Sequence, residues 1–214
     1  LVFAAIYGLA PMVFFGATIP AILQKEKYVS IDVGSVILAP GFKSFDPSDI
    51  DTYNYTNYPN VITSMEMERF LSASGPTGGH LVRPSDHKEP QKIAWFQCVG
   101  SRDLNRCDNS YCSSVCCMYA IKEAVIAKEH EHEIEPTIFY MDIRAHGKDF
   151  DRYVERAKHE HGIRFARARV SGVTREDSGA LLVEYEDDAG RVSHEQFDLV
   201  VLSIGFQGGE QVRE

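Results

Sequence analysis

Residues 92–130, "KIAWFQCVGSRDLNRCDNSYCSSVCCMYAIKEAVIAKEH", begin as a strand and end as a helix. Residues 92–100 are apolar, aromatic and bounded by Gly100. Residues 116–130 carry Ala, Ile, Val, Lys and Glu in a helical mixture. The alternation continues outward: "TIFYMDI" (137–143) reads as a strand and "FDRYVERAKHEHG" (150–162) as a helix. "IRFARARVSGVTRE" (163–176) and "LLVEYED" (181–187) read as strands, and "FDLVVLSIG" (197–205) as a last apolar strand. Strand–helix–strand–helix order predicts an α/β fold with a Rossmann-like, doubly wound parallel sheet. Ligands of such sheets lie beyond the carboxyl ends of the strands. Cys98 stands at the carboxyl end of the first of these strands and Gly205 closes the last.

The turn after that first strand is where a dinucleotide-binding unit carries G-x-G-x-x-G, with the pyrophosphate at a helix N-terminus. Here Gly100 is the only glycine of the turn, and all five cysteines of the chain fall between Cys98 and Cys117. Burial as small hydrophobes fits poorly with the Asp, Asn and Ser around them. Disulfides fit poorly with a long α/β chain without secretory features, and Cys116 and Cys117 are adjacent. A metal site remains. Zinc usually shows paired C-x-x-C knuckles, which are absent, whereas irregularly spaced thiolates suit the separated corners of an iron–sulfur cluster. Spacing alone leaves both metals open.

Upstream, "YVSIDVGSVILAPGF" (28–42) reads as two strands, one with Val29, Ile31 and Val33 on one face, the other over residues 36–39. Residues 43–62 are polar and loop-like. "TSMEMERFLSASG" (63–75) reads as a helix, with Thr63 and Glu66 at capping-box spacing and Gly75 at its end. A Gly/Pro-rich connection over 75–90 is the best boundary. The expected division is 1–27 (apolar segment), 28–90 (part of an FAD-domain-like region and connection), 91–206 (Rossmann-like domain with the cysteines) and 207–214 (tail). Residues 1–23 carry no charge and would make about 34 Å of helix, enough to span a bilayer. Lys25 and Lys27 after them would leave the rest in the cytoplasm, although Gly8, Pro11, Gly16 and Pro20 weaken a straight helix. A membrane or membrane-surface segment and a buried hairpin both stay open. A net charge of −9 argues against a nucleic-acid binder.

"FQCVGSRD" (96–103), "YCSSVCCMYAIKEA" (111–124), "TIFYMDIRAHGKDF" (137–150) and "SASGPTGGHLVRPSD" (72–86) resemble the A-subunit of heterodisulfide reductase and its relatives, in the same order. The resemblance covers residues 28–206 and not 1–23. It implies an oxidoreductase component with a thioredoxin-reductase-like fold, carrying a [4Fe-4S] cluster in place of the phosphate loop and sitting beside FAD. The implied cluster ligands are Cys98, Cys112, Cys116 and Cys117, with Cys107 a spare thiol. "ILAPGF" (37–42) and "VLSIGF" (201–206) resemble the two crossings between domains of such flavoproteins. That implies cofactor-binding Pro40, Gly41, Phe42, Gly205 and Phe206. The main FAD fingerprint is not in this chain, so the chain alone is expected to bind FAD poorly. Lys122 is implied as the catalytic cation beside the flavin, although a solvated helix lysine reads equally well. The implied partners are the other components of a heterodisulfide-reductase-like complex, ferredoxin, and a hydrogenase or formate dehydrogenase. Asp142, with no phosphate turn before it, reads as structural. His130, His132, His159 and His161 read as surface residues, because i and i+2 diverge on a helix. Arg83, Arg102 and Arg144 are expected on the side of the cysteines. The competing functions are a zinc-stabilised scaffold and a pyridine-nucleotide-dependent disulfide oxidoreductase.

Overall fold

The computed structural model describes residues 25–209. The apolar stretch 1–23 and most of the tail therefore lie outside the described residues. Contacts divide the chain into two units, Leu1–Ala39 and Pro40–Glu214. Within the first, the described residues 25–39 form neither helix nor strand, and Val29, Ile31, Val33, Val36, Ile37 and Leu38 are exposed. The two strands expected here are not formed. A strand needs a neighbour for its N–H and C=O groups, and no described strand pairs with these residues.

Among the described residues, the second unit contains nine strands: β1 (Phe42–Ser44), β2 (Val61–Thr63), β3 (Lys92–Val99), β4 (Glu135–Tyr140), β5 (Arg164–Arg175), β6 (Leu181–Asp187), β7 (Val192–Phe197), β8 (Leu199–Ile204) and β9 (Phe206–Gly208). The α-helices are α1 (Ser64–Leu71), α2 (Leu104–Cys107), α3 (Cys116–His130) and α4 (Phe150–His159). Seven strands form one sheet in the order β2-β8-β3-β4-β5-β6-β7. The pairs from β2 to β5 are parallel; β5-β6 and β6-β7 are antiparallel. β2 lies within residues 28–90, yet it belongs to the same sheet as β3.

The sheet is mixed, and the three longer helices α1, α3 and α4 cover one of its faces, which corrects the doubly wound expectation. β5 is long enough to take two partners. Arg164–Arg167 pairs with β4, and Ala168–Arg175 pairs with β6. Only short turns at Gly179 and Gly190 separate β5, β6 and β7, so these strands must run antiparallel. Val173, Leu181, Val183 and Phe197 from this ribbon then pack on Ala94, Phe96, Phe139, Val200 and Leu202. The opposite face receives α1, α3 and α4 through Met67, Ala120, Ala124, Val154 and Ala157, against Ile93, Trp95, Leu199 and Val201. The period of two along β3 assigns Trp95 to the helix side and Phe96 to the other. β8 is buried at all six positions, as an interior parallel strand should be.

The start of α1 follows the expected chemistry. Thr63 Oγ1 accepts the Glu66 N–H at 3.3 Å, and the Glu66 carboxylate accepts the Thr63 N–H at 2.7 Å. The helix ends at Leu71, before Gly75. A Cβ on Gly75 would lie 1.8 Å from the Arg69 carbonyl oxygen, so glycine lets the chain fold back against the helix end.

Candidate functional site

β3 leaves the sheet irregularly. Its register with β8 shifts between Phe96 and Val99, and Cys98 has φ +63°. That left-handed backbone costs a residue with a Cβ roughly 1–2 kcal/mol and re-aims its side chain. Arg102, Asp108 and Ser114 in the following loop also have positive φ. The loop is pinned in place. Asp103 caps α2 through the N–H groups of Asn105 and Arg106, and the Asn109 amide donates to the Gly100 carbonyl at 2.8 Å. Ser101 and Ser113 share a 2.8 Å hydroxyl bond, and Ser113 Oγ accepts the Phe206 N–H at 2.8 Å. Gly205 is required there: a Cβ would lie 2.2 Å from Ser101 Oγ and 2.8 Å from Ser113 Oγ.

This loop returns the chain to the N-terminus of α3, where Cys116 and Cys117 are buried. No side chain caps that helix end. All five cysteines are free. The Cys98 thiol is pushed up to about 11 by burial and then by the charges of Cys117, Cys116 and Cys112, against the pull of Arg102. Burial likewise raises Cys116, which also senses Cys117 and Cys112, and Cys117, which also senses Cys112. The structure thus brings Cys98, Cys112, Cys116 and Cys117 within electrostatic reach of one another. Cys107 has other surroundings. Burial raises its thiol, Asp103 adds to that, and the Gly100 N–H and Arg106 oppose it. Its side chain packs on the ribbon side of the sheet. Among the described residues, no three His, Cys, Asp or Glu side chains gather closely enough to hold one metal ion.

Donors already face two of the four sulfurs. The Ser114 N–H points to Cys112 Sγ at 3.3 Å, and the Arg144 N–H points to Cys117 Sγ at 3.4 Å. Arg102 and Arg144 both pair with Asp142. Burial pushes the Asp142 carboxyl up, but the two arginines hold it below the usual carboxylate range. Asp142 is therefore structural, tying the loop to the end of β4. Arg83 is elsewhere: it pairs with Asp86 and with Asp198, just before β8, and so lies at the opposite end of the strands from the cysteines.

The residues that follow Gly41 and Gly205 meet. β1 and β9 pair antiparallel, with Ser44 opposite Phe206. The Phe42 and Phe206 rings stack at 3.8 Å and 19°. Gly41, after Pro40, has φ +77°. Phe206 also lines an open groove of about 710 Å³ with Val115, Met118, Tyr119, Lys122 and Tyr153. Lys122 Nζ is not free in that groove, because it donates to both Glu68 carboxylate oxygens at 2.7 and 2.9 Å. Glu68 escapes sequence reading, standing 54 positions from Lys122. Ser101 and Ser113 are equally silent, since serines are ordinary in a polar loop.

No family model matches the chain. A solved structure of a 2-naphthoyl-CoA reductase with 2-naphthoyl-CoA is similar at TM-score 0.48 and 15% identity, over 78% of this chain and 19% of that one. Curated proteins are much closer in sequence. The second iron-sulfur A-subunit of CoB–CoM heterodisulfide reductase from Methanopyrus kandleri is 48% identical over 86% of this chain and 28% of its own length. The A-subunit of the H(2):CoB-CoM heterodisulfide,ferredoxin reductase of Methanothermobacter thermautotrophicus is 40% identical over 89% of this chain and 29% of its own. The A-subunit of the H(2)/formate:CoB-CoM heterodisulfide,ferredoxin reductase of Methanococcus maripaludis is 42% identical over 89% and 29%. The chain spans less than a third of the length of these relatives. With 40–48% identity over nearly nine tenths of its own length, the chain is similar to heterodisulfide reductase A-subunits, as a segment matching part of those larger proteins.

Proposed function

We propose that this chain is the electron-transfer module of a heterodisulfide-reductase-A-like oxidoreductase, holding a [4Fe-4S] cluster on Cys98, Cys112, Cys116 and Cys117. The observation that supports this reading is that Cys98 at the carboxyl end of β3, Cys112 in the loop, and Cys116 and Cys117 at the N-terminus of α3 lie within electrostatic reach of one another, with Cys107 apart. The donor set suits the group: thiolates are its ligands, and N–H groups directed at sulfur, as from Ser114 and Arg144, favour their charged form. Arg102, within electrostatic reach of Cys98 and Cys112, offsets the negative charge that four thiolates bring. The cluster, when bound, supplies one-electron chemistry.

The second half of the reading is a flavin beside it. Pro40, Gly41, Phe42, Gly205 and Phe206 would form its near wall, since β1 and β9 bring both crossings to one edge of the groove that Lys122 lines. Lys122 would present a cation to the ring, held ready by Glu68. FAD, when bound, takes electrons in pairs and so converts between two-electron and one-electron traffic. Electrons would be exchanged in the cytoplasm with other components of the complex, with ferredoxin, and with a hydrogenase or formate dehydrogenase. The names of the relatives support partners of this kind. Among the described residues, no helix is long and apolar enough to cross a membrane.

Anaerobic reconstitution followed by iron and sulfide analysis tests the cluster. Cys116→Ser should remove most of the bound iron and Cys107→Ser almost none. A colourless protein that takes zinc and no sulfide would overturn the assignment, as would equal loss from both variants.

A further inference from the structure

Among the described residues, Glu123 is the only Asp, Glu, Lys or Arg that is buried, at 0% exposure. It lies on the face of α3 that packs on the sheet, among Ala120, Ala124 and Ala127. Acidic side chains are almost never fully buried without a partner. One of its oxygens has a partner, for Oε2 accepts the Trp95 indole N–H at 2.9 Å. Oε1 has none. A carboxylate with a single donor in an apolar layer is unfavourable, whereas a carboxylic acid is much less so. Burial pushes the Glu123 carboxyl well above its usual range, Glu68 adds to that, and the Trp95 N–H and Lys122 oppose it.

The charged and titratable groups around it are few. α1 contributes Glu68, and α3 itself contributes Lys122 and Tyr119. β4, β8 and α4 contribute apolar residues to this core: Ile138, Leu199, Val201, Val154 and Ala157. Glu123 to Trp95 is the only side-chain hydrogen bond between α3 and β3 among the described residues. Its position matters. Trp95 stands three residues before Cys98, and Glu123 six residues after Cys117.

We propose that Glu123 is a positioning residue for the sulfur site: as a neutral carboxylic acid it accepts the Trp95 indole N–H and holds the helix that presents Cys116 and Cys117 in register with the strand that presents Cys98. The proposal rests on the sulfur-site reading above and adds to it a residue that touches neither sulfur nor flavin. An alkyl side chain of equal size would fill the same space without fixing the register. Packing and positioning therefore give different results.

The test uses the 214-residue chain. At neutral pH, infrared spectra should show the carbonyl band of a protonated carboxylic acid, absent from Glu123→Gln. Reconstituted Glu123→Gln should keep the wild-type iron content and electron paramagnetic resonance line shape, because its amide oxygen accepts the same N–H. Glu123→Leu should melt no lower than wild type yet lose at least about half its iron or show a broadened line. Trp95→Phe, which removes the donor instead, should lose iron in the same way and decides the matter if the leucine variant does not fold. Glu123→Leu or Trp95→Phe with wild-type iron and line shape overturns the proposal, and so does a missing infrared band. A wild-type chain that takes up no iron overturns the sulfur-site reading itself, which separates the two failures.

Discussion

At the scale of single residues, the site depends on backbone positions that tolerate few substitutions. Cys98 has a left-handed φ and still carries its side chain, which only a loop pinned at many points can enforce. Gly205 works in the opposite way, by having no side chain where Ser101 and Ser113 close over the strand end. Gly205→Ala should push that hydroxyl pair apart and displace the loop. The expected cost is about 1–3 kcal/mol, as is usual for overpacking, with a drop in iron content after reconstitution; denaturant titration and iron analysis measure the two effects. Unchanged values in both would show that the serines move aside freely. The cysteines themselves are legible in the sequence, because all five stand within twenty residues, between Cys98 and Cys117. Their companions are not. Glu68 reaches Lys122 across 54 residues, and no local pattern announces such a pair.

Among the elements, the helices are the most legible. α3 begins and ends where its composition says, at Cys116 and His130. α1 begins at its capping box. Thr63→Ala removes the acceptor for the Glu66 N–H and should cost about 1 kcal/mol, seen as a melting temperature lower by about 2–4 °C for a unit of this size. Glu66 also contacts the Tyr55 hydroxyl, so part of its place is kept when Thr63 is lost. The short strands are not legible. β1, β2, β7 and β9 are three to six residues long, and a tripeptide carries no measurable periodicity. Residues 29–39 show the reverse case. Their pattern is that of strands, but β structure is completed by a neighbour, and the described residues supply none.

For the whole molecule, the buried acid sets a pH dependence. The unfolded chain releases the Glu123 proton near the ordinary value of about 4.3, whereas the folded chain keeps it to higher pH because of burial. Between those limits the native state binds more protons than the unfolded state, so stability falls as pH rises. Below the unfolded value the contribution is constant. Glu123→Gln should therefore match wild type in acid and gain on it above about pH 4.3, by up to about 1.4 kcal/mol per pH unit. Denaturant titrations of both proteins across that range give the difference directly. A gap that does not change with pH would mean that Glu123 titrates normally.

The sequence by itself determined that strands and helices alternate from Lys92 to His159, where the principal helices lie, and that all five cysteines fall between Cys98 and Cys117. These features are local: periodicity, capping and composition act over a few residues. Tertiary structure alone decided that the sheet is mixed, that β5 turns to face a ribbon, and that α1, α3 and α4 gather on one side. It also decided which acid is sealed against Trp95 and which carboxylate holds Lys122. Each of those outcomes depends on groups far apart in the chain, and only the burial of apolar surface from both faces of the sheet brings them together.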